Sequence, residues 1–293
     1  MNLVHDLIQP LLNGLLLGGV YGGIAIGLSL ILGVLKIVNL AHTAILIFAG
    51  LLYWQLVSVA GLDPLLMIIP VVAIFFLFGM GTHRVMVQYL SRASDTTMIL
   101  AFFGLMVILE SIAIMIWTTD TRTLPLGYLG EVIRLGDLNI SVAKLVAAIL
   151  GVVVLIALHL FLTRTLTGSA IRGMAQNQDV ATMVGINVTR LSRYVFAAGV
   201  AFAAFGGTIL AMVQSFNPQE HARWLAWAFL VVILGGLGSS LRTLIAGLVV
   251  GVIESFAGLL LPFAYTYMVL YALLAVMLLV RNEGLGSVKQ RTI

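Results

Sequence analysis

Two carboxylates, Glu110 and Glu254, stand inside long apolar stretches of this 293-residue chain. A charge near the centre of a hydrocarbon layer costs about 2.5–3.5 kcal/mol on insertion scales, so each demands a reason. Either the carboxyl is paired across helices or held protonated, or it lines the path of a polar solute. Asn39 and His42, at the start of a second apolar stretch, join them as candidate pathway residues. His159, near the end of a fifth stretch, reads as an interfacial side chain.

Reaction chemistry finds little to work with. No HExxH pair and no Ser/His/Asp context occurs, so metal and hydrolase readings have no support. The absence of cysteine removes disulfides, thiol catalysis and cysteine metal sites together. A phosphate-gripping GxxxxGK[ST] loop is missing, and none of Lys36, Lys144 and Lys289 has the preceding glycines. GGLGSS, Gly235 to Ser240, has neither a basic residue nor a strand beside it. The chain is therefore read as a carrier, not an enzyme. It binds no cofactor of its own, so any ATP and Mg would sit on other subunits.

The second informative segment is the loop 163–193. Ser169 is expected to cap a short turn over 170–175 that presents Ile171 and Met174. Asn177 is a good N-cap, Asp179 suits the first turn of a helix, and Gly185 is a natural stop. Between them Val180, Met183 and Val184 fall at i, i+3 and i+4, the spacing of a short amphipathic helix. Asn187 then caps the helix that re-enters the apolar region. Such a helix lies either on the lipid surface or in a groove on a protein partner.

The elements that must position these residues follow from composition. The chain is 61% hydrophobic and 9% charged, with mean hydropathy +1.16, against roughly 25% charged residues in soluble domains. A bilayer core of about 30 Å takes roughly 20 apolar residues per helix. That rule predicts about nine spans (eight to ten), at 11–33, 39–60, 64–81, 96–117, 142–162, 194–213, 224–237, 243–261 and 265–280. Glycines 235, 236 and 238 leave the stretch 224–261 open as one span, two spans or a broken helix. The start, MNLVHDLIQP, lacks a basic n-region and a cleavage site, so the first block is read as a retained span. The expected fold is an all-α polytopic membrane protein, one transmembrane domain over 1–293.

Orientation follows from charge. Setting the loops around Lys36, Arg84, 164–193, Arg242 and the C-terminus inside gives that side eleven Lys and Arg, among them Arg92, Arg281, Lys289 and Arg291. Four remain outside: Arg122, Arg134, Lys144 and Arg223. The bias predicts N-terminus out and C-terminus in, and it explains the pI of 9.6 without nucleic acid. Trp54, Trp117, Trp224 and Trp227 fall at outer span ends, where interfacial rings belong. The outer loop 118–141 has turn residues enough for a small hairpin or cap. In the first span Gly14, Gly18 and Gly22 form one row and Gly19, Gly23 and Gly27 another, which predicts close helix packing.

The string GSAIRGMAQNQDVATMVGINVTR, Gly168 to Arg190, resembles the coupling loop of permease subunits of branched-chain amino acid ABC importers, the H-type subunit in particular. ILGGLGSSLRTLIAGLVVGVIE (233–254) and YGGIAIGLSLILGVLKIVNLAH (21–42) are similar to other stretches of that family. The resemblance covers nearly the whole chain. It implies a permease fold with cytoplasmic coupling helices in a bacterial inner membrane. It also implies two cytoplasmic ATPase subunits, a homologous second permease and a periplasmic solute-binding protein as partners. On it, Ile171, Arg172, Met174, Asn177, Asp179, Val180, Met183, Gly185, Asn187 and Arg190 become the ATPase-coupling set. One departure stands out: the family continues Asn-Phe-Ala-His-Gly-Glu, whereas this chain has Asn39-Leu40-Ala41-His42-Thr43-Ala44. Urea, amides and small organic acids are accordingly alternatives to amino acids as the solute. An ion-coupled secondary transporter is a more distant one.

Overall fold

The computed structural model describes residues 7–90, 93–136 and 138–280. Arg92, Arg281, Lys289, Arg291 and the C-terminus, all expected inside, lie outside these residues.

The chain opens with α1 (Gln9–Leu30), which continues through a wider π turn, Ile31–Leu35. Lys36 then turns the chain in the left-handed region, with φ 58°, toward α2 (His42–Ser58). The next helix, α3 (Pro64–Thr82), starts at Asp63, whose carboxylate accepts from the Leu65 and Leu66 amides. It runs through a second π turn, His83–Val87, into one last turn, α4 (Gln88–Leu90). Then come α5 (Asp95–Trp117) and an antiparallel hairpin of β1 (Val132–Leu135) and β2 (Leu138–Ser141), with Val132 facing Ser141. That hairpin corrects the all-α expectation, and it is the small element the outer loop allowed. The remaining helices are α6 (Val142–Arg164), α7 (Leu166–Gln176), α8 (Gln178–Met183), α9 (Val188–Val213), α10 (His221–Gly235), α11 (Ser240–Leu260) and α12 (Phe263–Val280).

All nine apolar stretches form helices, but they are unequal. Six among the described residues are long and apolar enough to cross a membrane: Gln9–Leu35, Pro64–Leu90, Asp95–Trp117, Val142–Arg164, Val188–Val213 and Ser240–Leu260. His42–Ser58 and Tyr265–Leu279 are apolar and shorter, and α10 has 15 residues. The stretch 224–261 is two helices. Gly236 and Gly238, both at φ 78°, supply the left-handed turn between them.

Two ends of the bundle can be told apart by their bonds. At one end Trp54 donates to the Thr123 carbonyl, Arg122 bridges to Phe216 and Gln9 exchanges two hydrogen bonds with Asn139. This hairpin end lies opposite the end carrying α7 and α8. Of the four tryptophans expected at outer span ends, Trp54 is half-buried and three are enclosed within the protein. Trp117, Trp224 and Trp227 are buried, and Trp117 gives its N–H to Gln55 at 2.8 Å.

At the centre stands α1, with 89% of its most apolar window buried, as in α9; the figure falls to 22% for α3 and 17% for α5. Both glycine rows explain its position. Gly14 and Gly18 meet the backbone of α11 at Val252 and Leu248, and Gly247 and Gly251 of α11 meet α1 in return. Gly19 and Gly23 face Ala148 and Gly151 of α6, and Gly27 faces Gly199 of α9. Lipid tails are as apolar as leucine, so such backbone contact has to replace hydrophobic drive between the helices.

Alanine at Gly18 would press its Cβ on the Leu248 backbone. Gly18→Ala is expected to cost about 1–3 kcal/mol of stability, whereas Gly104→Ala, which meets nothing within 4 Å, should leave it unchanged or raised. Thermal unfolding in detergent checks both. Equal behaviour of the two variants would remove the close-contact explanation.

Candidate functional site

The hook formed by α7 and α8 is built from caps. Thr165 starts α7 by accepting from the Gly168 amide at 2.9 Å. The expected cap, Ser169, lies inside the helix instead and accepts from the Arg172 guanidinium. The helix starts earlier than the sequence suggested because Gly168 lets the turn close on α6, where a Cβ would stand 2.7 Å from Leu162 Cα. Arg172 also donates to the Leu162 carbonyl. Ile171 and Met174 are buried, and Ser192 Oγ lies 3.5 Å from Met174 Sδ, tying α7 to α9.

Asn177 caps α8 as predicted, its Oδ1 accepting from the Asp179 and Val180 amides. Asp179 sits in the first turn, where the helix dipole favours an anion. The stop is a Schellman turn: Gly185, at φ 86°, donates to Thr182 and Ile186 donates to Ala181. Asn187 then accepts from the Arg190 amide and opens α9. The coupling set therefore divides. Ile171, Arg172 and Met174 anchor, Asn177, Gly185 and Asn187 shape, and the apolar stripe projects. Val180, Met183 and Val184 are 53%, 84% and 71% exposed. Beside the hook lies a polar cleft of about 1120 Å³, reached by Lys36, His83, Arg84, Asp95, Gln178 and Ser192.

The four pathway candidates occupy three separate places. Glu254 has protein donors: its Oε2 accepts from Tyr21 Oη at 2.6 Å and from Trp227 Nε1 at 3.4 Å. Trp227 meets Tyr267 and Tyr271 edge-on, and the Arg223 guanidinium lies 4.6 Å from the Tyr267 ring. Glu254 thus belongs to an aromatic box joining α1, α10, α11 and α12.

Glu110 differs. It sits on a poorly buried helix with its side chain 25% exposed, and its partner is His221 Nε2 at 3.8 Å. His221 is itself buried, with Nδ1 3.3 Å from the Pro218 carbonyl.

Asn39 and His42 are completely buried where α1 passes α2. The His42 ring lies in the notch left by Gly27, where a Cβ would come 2.8 Å from Cε1, and Nε2 is 3.5 Å from the Ile24 carbonyl. Both amide atoms of Asn39, His42 Nδ1 and Thr43 Oγ1 have no protein partner. Orphans of this kind mark a place for water or for a group that arrives in another state.

Sequence reading missed His221, Tyr21 and Arg223. His221 and Arg223 sit one turn from Trp224 and Trp227 at the start of an apolar helix. That spacing was the available signal. Tyr21 offered none, since its partner lies 233 residues away.

The sequence matches the family described as branched-chain amino acid transport system / permease component over residues 11–278. It is 26% identical over 270 residues to the high-affinity branched-chain amino acid transport system permease protein BraD of Pseudomonas aeruginosa, covering 88% of each chain. To the LivH permease protein of the same description from Escherichia coli K12 it is 25% identical, again over 88% of each. To the LivM permease protein of Salmonella typhimurium it is 30% identical over 144 residues, 48% of this chain and 33% of that one. No solved structure matches. With a family match over nearly its whole length and a bundle of apolar helices built around α1, this chain is a multi-pass membrane protein that belongs to the branched-chain amino acid transport permease family.

Proposed function

We propose that the chain is the membrane-spanning permease subunit of an ATP-driven importer in a bacterial inner membrane. It would carry branched-chain or related amino acids from periplasm to cytoplasm. The observation that carries this reading is the α7–α8 hook, rigidly capped, anchored by Ile171 and Met174, and presenting Val180, Met183 and Val184 to a partner. In this reading nine helices cross, N-terminus out and C-terminus in, with the hook in the cytoplasm. Two ATPase subunits, holding ATP and Mg, grip the loop 169–187. Their closure moves the hook and switches access to the solute path.

The other partners have supports of their own. Similarity to both LivH and LivM proteins favours a pore made with a second, homologous permease. The hairpin end offers exposed Val132 and Leu135, tied to the 214–223 turn through the Arg122–Phe216 bridge. That surface suits a periplasmic solute-binding protein.

Glu110 is the pathway residue favoured most. On a helix bordered by exposed Val107, Ile108 and Ile112, a carboxylate facing lipid would cost about 2.5–3.5 kcal/mol. Its face of α5 is therefore assigned to the pore or to the second permease. Glu254, whose Oε2 accepts from Tyr21 and Trp227, holds helices together. Asn39 and His42 form the third, enclosed part of the candidate path.

Two outcomes test the reading in proteoliposomes holding the whole transporter. Met183→Asp is expected to abolish solute-stimulated ATPase and uptake while the chain still inserts. Retained coupling would end the assignment of the hook. Glu110→Gln is expected to reduce uptake about tenfold, the weight of one charged interaction, with ATPase assembly intact. Because Thr43 and Ala44 stand where the family has glycine and a carboxylate, uptake is compared for leucine, urea, an amide and a small organic acid. Transport driven by an ion gradient in the absence of ATP would overturn the whole proposal.

A further inference from the structure

A second cleft, between α3, α6, α7 and α9, is not itself used in the reading above, although Ile171 on its wall and Arg190 beside it belong to the expected coupling set. It measures about 510 Å³, within the range of about 300–1,000 Å³ typical of small-ligand pockets. Its walls are apolar, with Ala157 and Phe161 from α6 and Ala198 and Phe202 from α9, and the hydroxyls of Thr167 and Tyr194 are the polar groups on it. Phe161 and Tyr194 stay 42% and 43% exposed, so the cleft opens on the side of the bundle.

Two arginines continue its walls. On α6, Arg164 follows Phe161 by three residues and Ala157 by seven. On α9, Arg190 precedes Tyr194 by four and Ala198 by eight. At 3.6 residues per turn each arginine falls on the stripe that lines the cleft, at its end beside Leu162 or Leu191. Both are exposed. Neither guanidinium has a carboxylate partner among the described residues. Arg164 is also the last residue of α6, where the chain leaves its apolar span for the polar hook.

An apolar slot that ends in two unpaired cations at span-end level matches an amphiphile with an acyl tail and an anionic head. The geometry points to a phospholipid site, with one acyl chain in the cleft and an anionic headgroup between Arg164 and Arg190, in the leaflet at whose surface α7 lies. A helix from another subunit fits less well, since its apolar surface would leave both cations unpaired. Because α7 forms one wall through Thr167 and Ile171, a lipid seated there also braces the base of the hook.

Native mass spectrometry of the purified transporter, titrated with phosphatidylglycerol or phosphatidylcholine, tests this. The intact protein should bind one phosphatidylglycerol about thirtyfold tighter than phosphatidylcholine, the weight of two arginines near an anionic surface. The double variant R164Q/R190Q, altered only at exposed positions, should bind the two lipids equally. A198W, which fills the slot, should lose both. Since the chain has no cysteine, A198C in membranes carries its one thiol, and a lipid-soluble maleimide should reach it in competition with phosphatidylglycerol. Equal lipid affinities in the intact protein, unchanged binding by A198W, or a thiol shielded only when the second permease is present would each overturn the site.

Discussion

Backbone contact between α1 and its neighbours is the constraint on which the structure depends. Apolar helices in lipid gain nothing by hiding leucine from leucine, so contact has to come from close packing and from polar bonds. Gly14 and Gly18 against Gly247 and Gly251 bring α1 and α11 together so that each carries the other's backbone as its surface. The same close fit decides where polar groups go. Tyr21 reaches Glu254 only because α11 lies against α1, and His42 has a seat only because Gly27 has no side chain. At the end of the row, Gly33 meets Gly238 and so fixes the turn that reverses the chain from α10 into α11.

Against that dry frame the polar residues sort themselves by what surrounds them. Glu254 has two protein donors and an aromatic enclosure, and removing its carboxylate would strand the hydroxyl of Tyr21. Both amide atoms of Asn39, His42 Nδ1 and Thr43 Oγ1 are buried with no protein partner. A buried group without a partner costs roughly 1–3 kcal/mol, which a stable scaffold would have no reason to keep three times over. Glu110 is neither satisfied nor sealed off. Burial and partner count, not residue type, separate the structural carboxylate from the functional candidate.

Much of this was legible in the sequence, and the parts that were not share a cause. The apolar stretches and glycine rows were readable because period and length are local properties. So were Asn177, Gly185 and Asn187, whose capping bonds reach two or three residues. Thr165, not Ser169, starts α7, because the turn at Gly168 closes on Leu162 in another helix. The tryptophans looked interfacial because Trp117 and Trp224 stand near helix ends, yet depth in a bilayer says nothing of the azimuth a ring faces. His221 escaped for the same reason: Glu110 lies 111 residues earlier, and only the packing of α5 beside α10 brings the two together.

The hook's rigidity bears on how force could enter the membrane. A load on Met183 leaves α8 through its two capped ends and the buried Ala181. One joint is Asn177, whose side chain caps α8 while its backbone N–H ends α7 on the Gly173 carbonyl; the other is the Gly185–Ile186 turn, bonded back to Ala181 and Thr182. Neither joint leaves slack, so displacement passes to α7 and α9 rather than being absorbed locally. The second of these, α9, runs unbroken for 26 residues. Along the way it presses Ala197 on Gly79 of α3, Gly199 on Gly27 of α1 and Gly207 on Leu46 and Gly50 of α2. Those contacts are backbone on backbone, without side chains that could flex between them. Motion of the hook therefore bears on α1, α2 and α3 at once, and the enclosed polar cluster of Asn39, His42 and Thr43 lies at the joint between the first two. A buried cluster with unmatched bonds, set where a stiff lever meets the central helix, is where a change of packing would cost least.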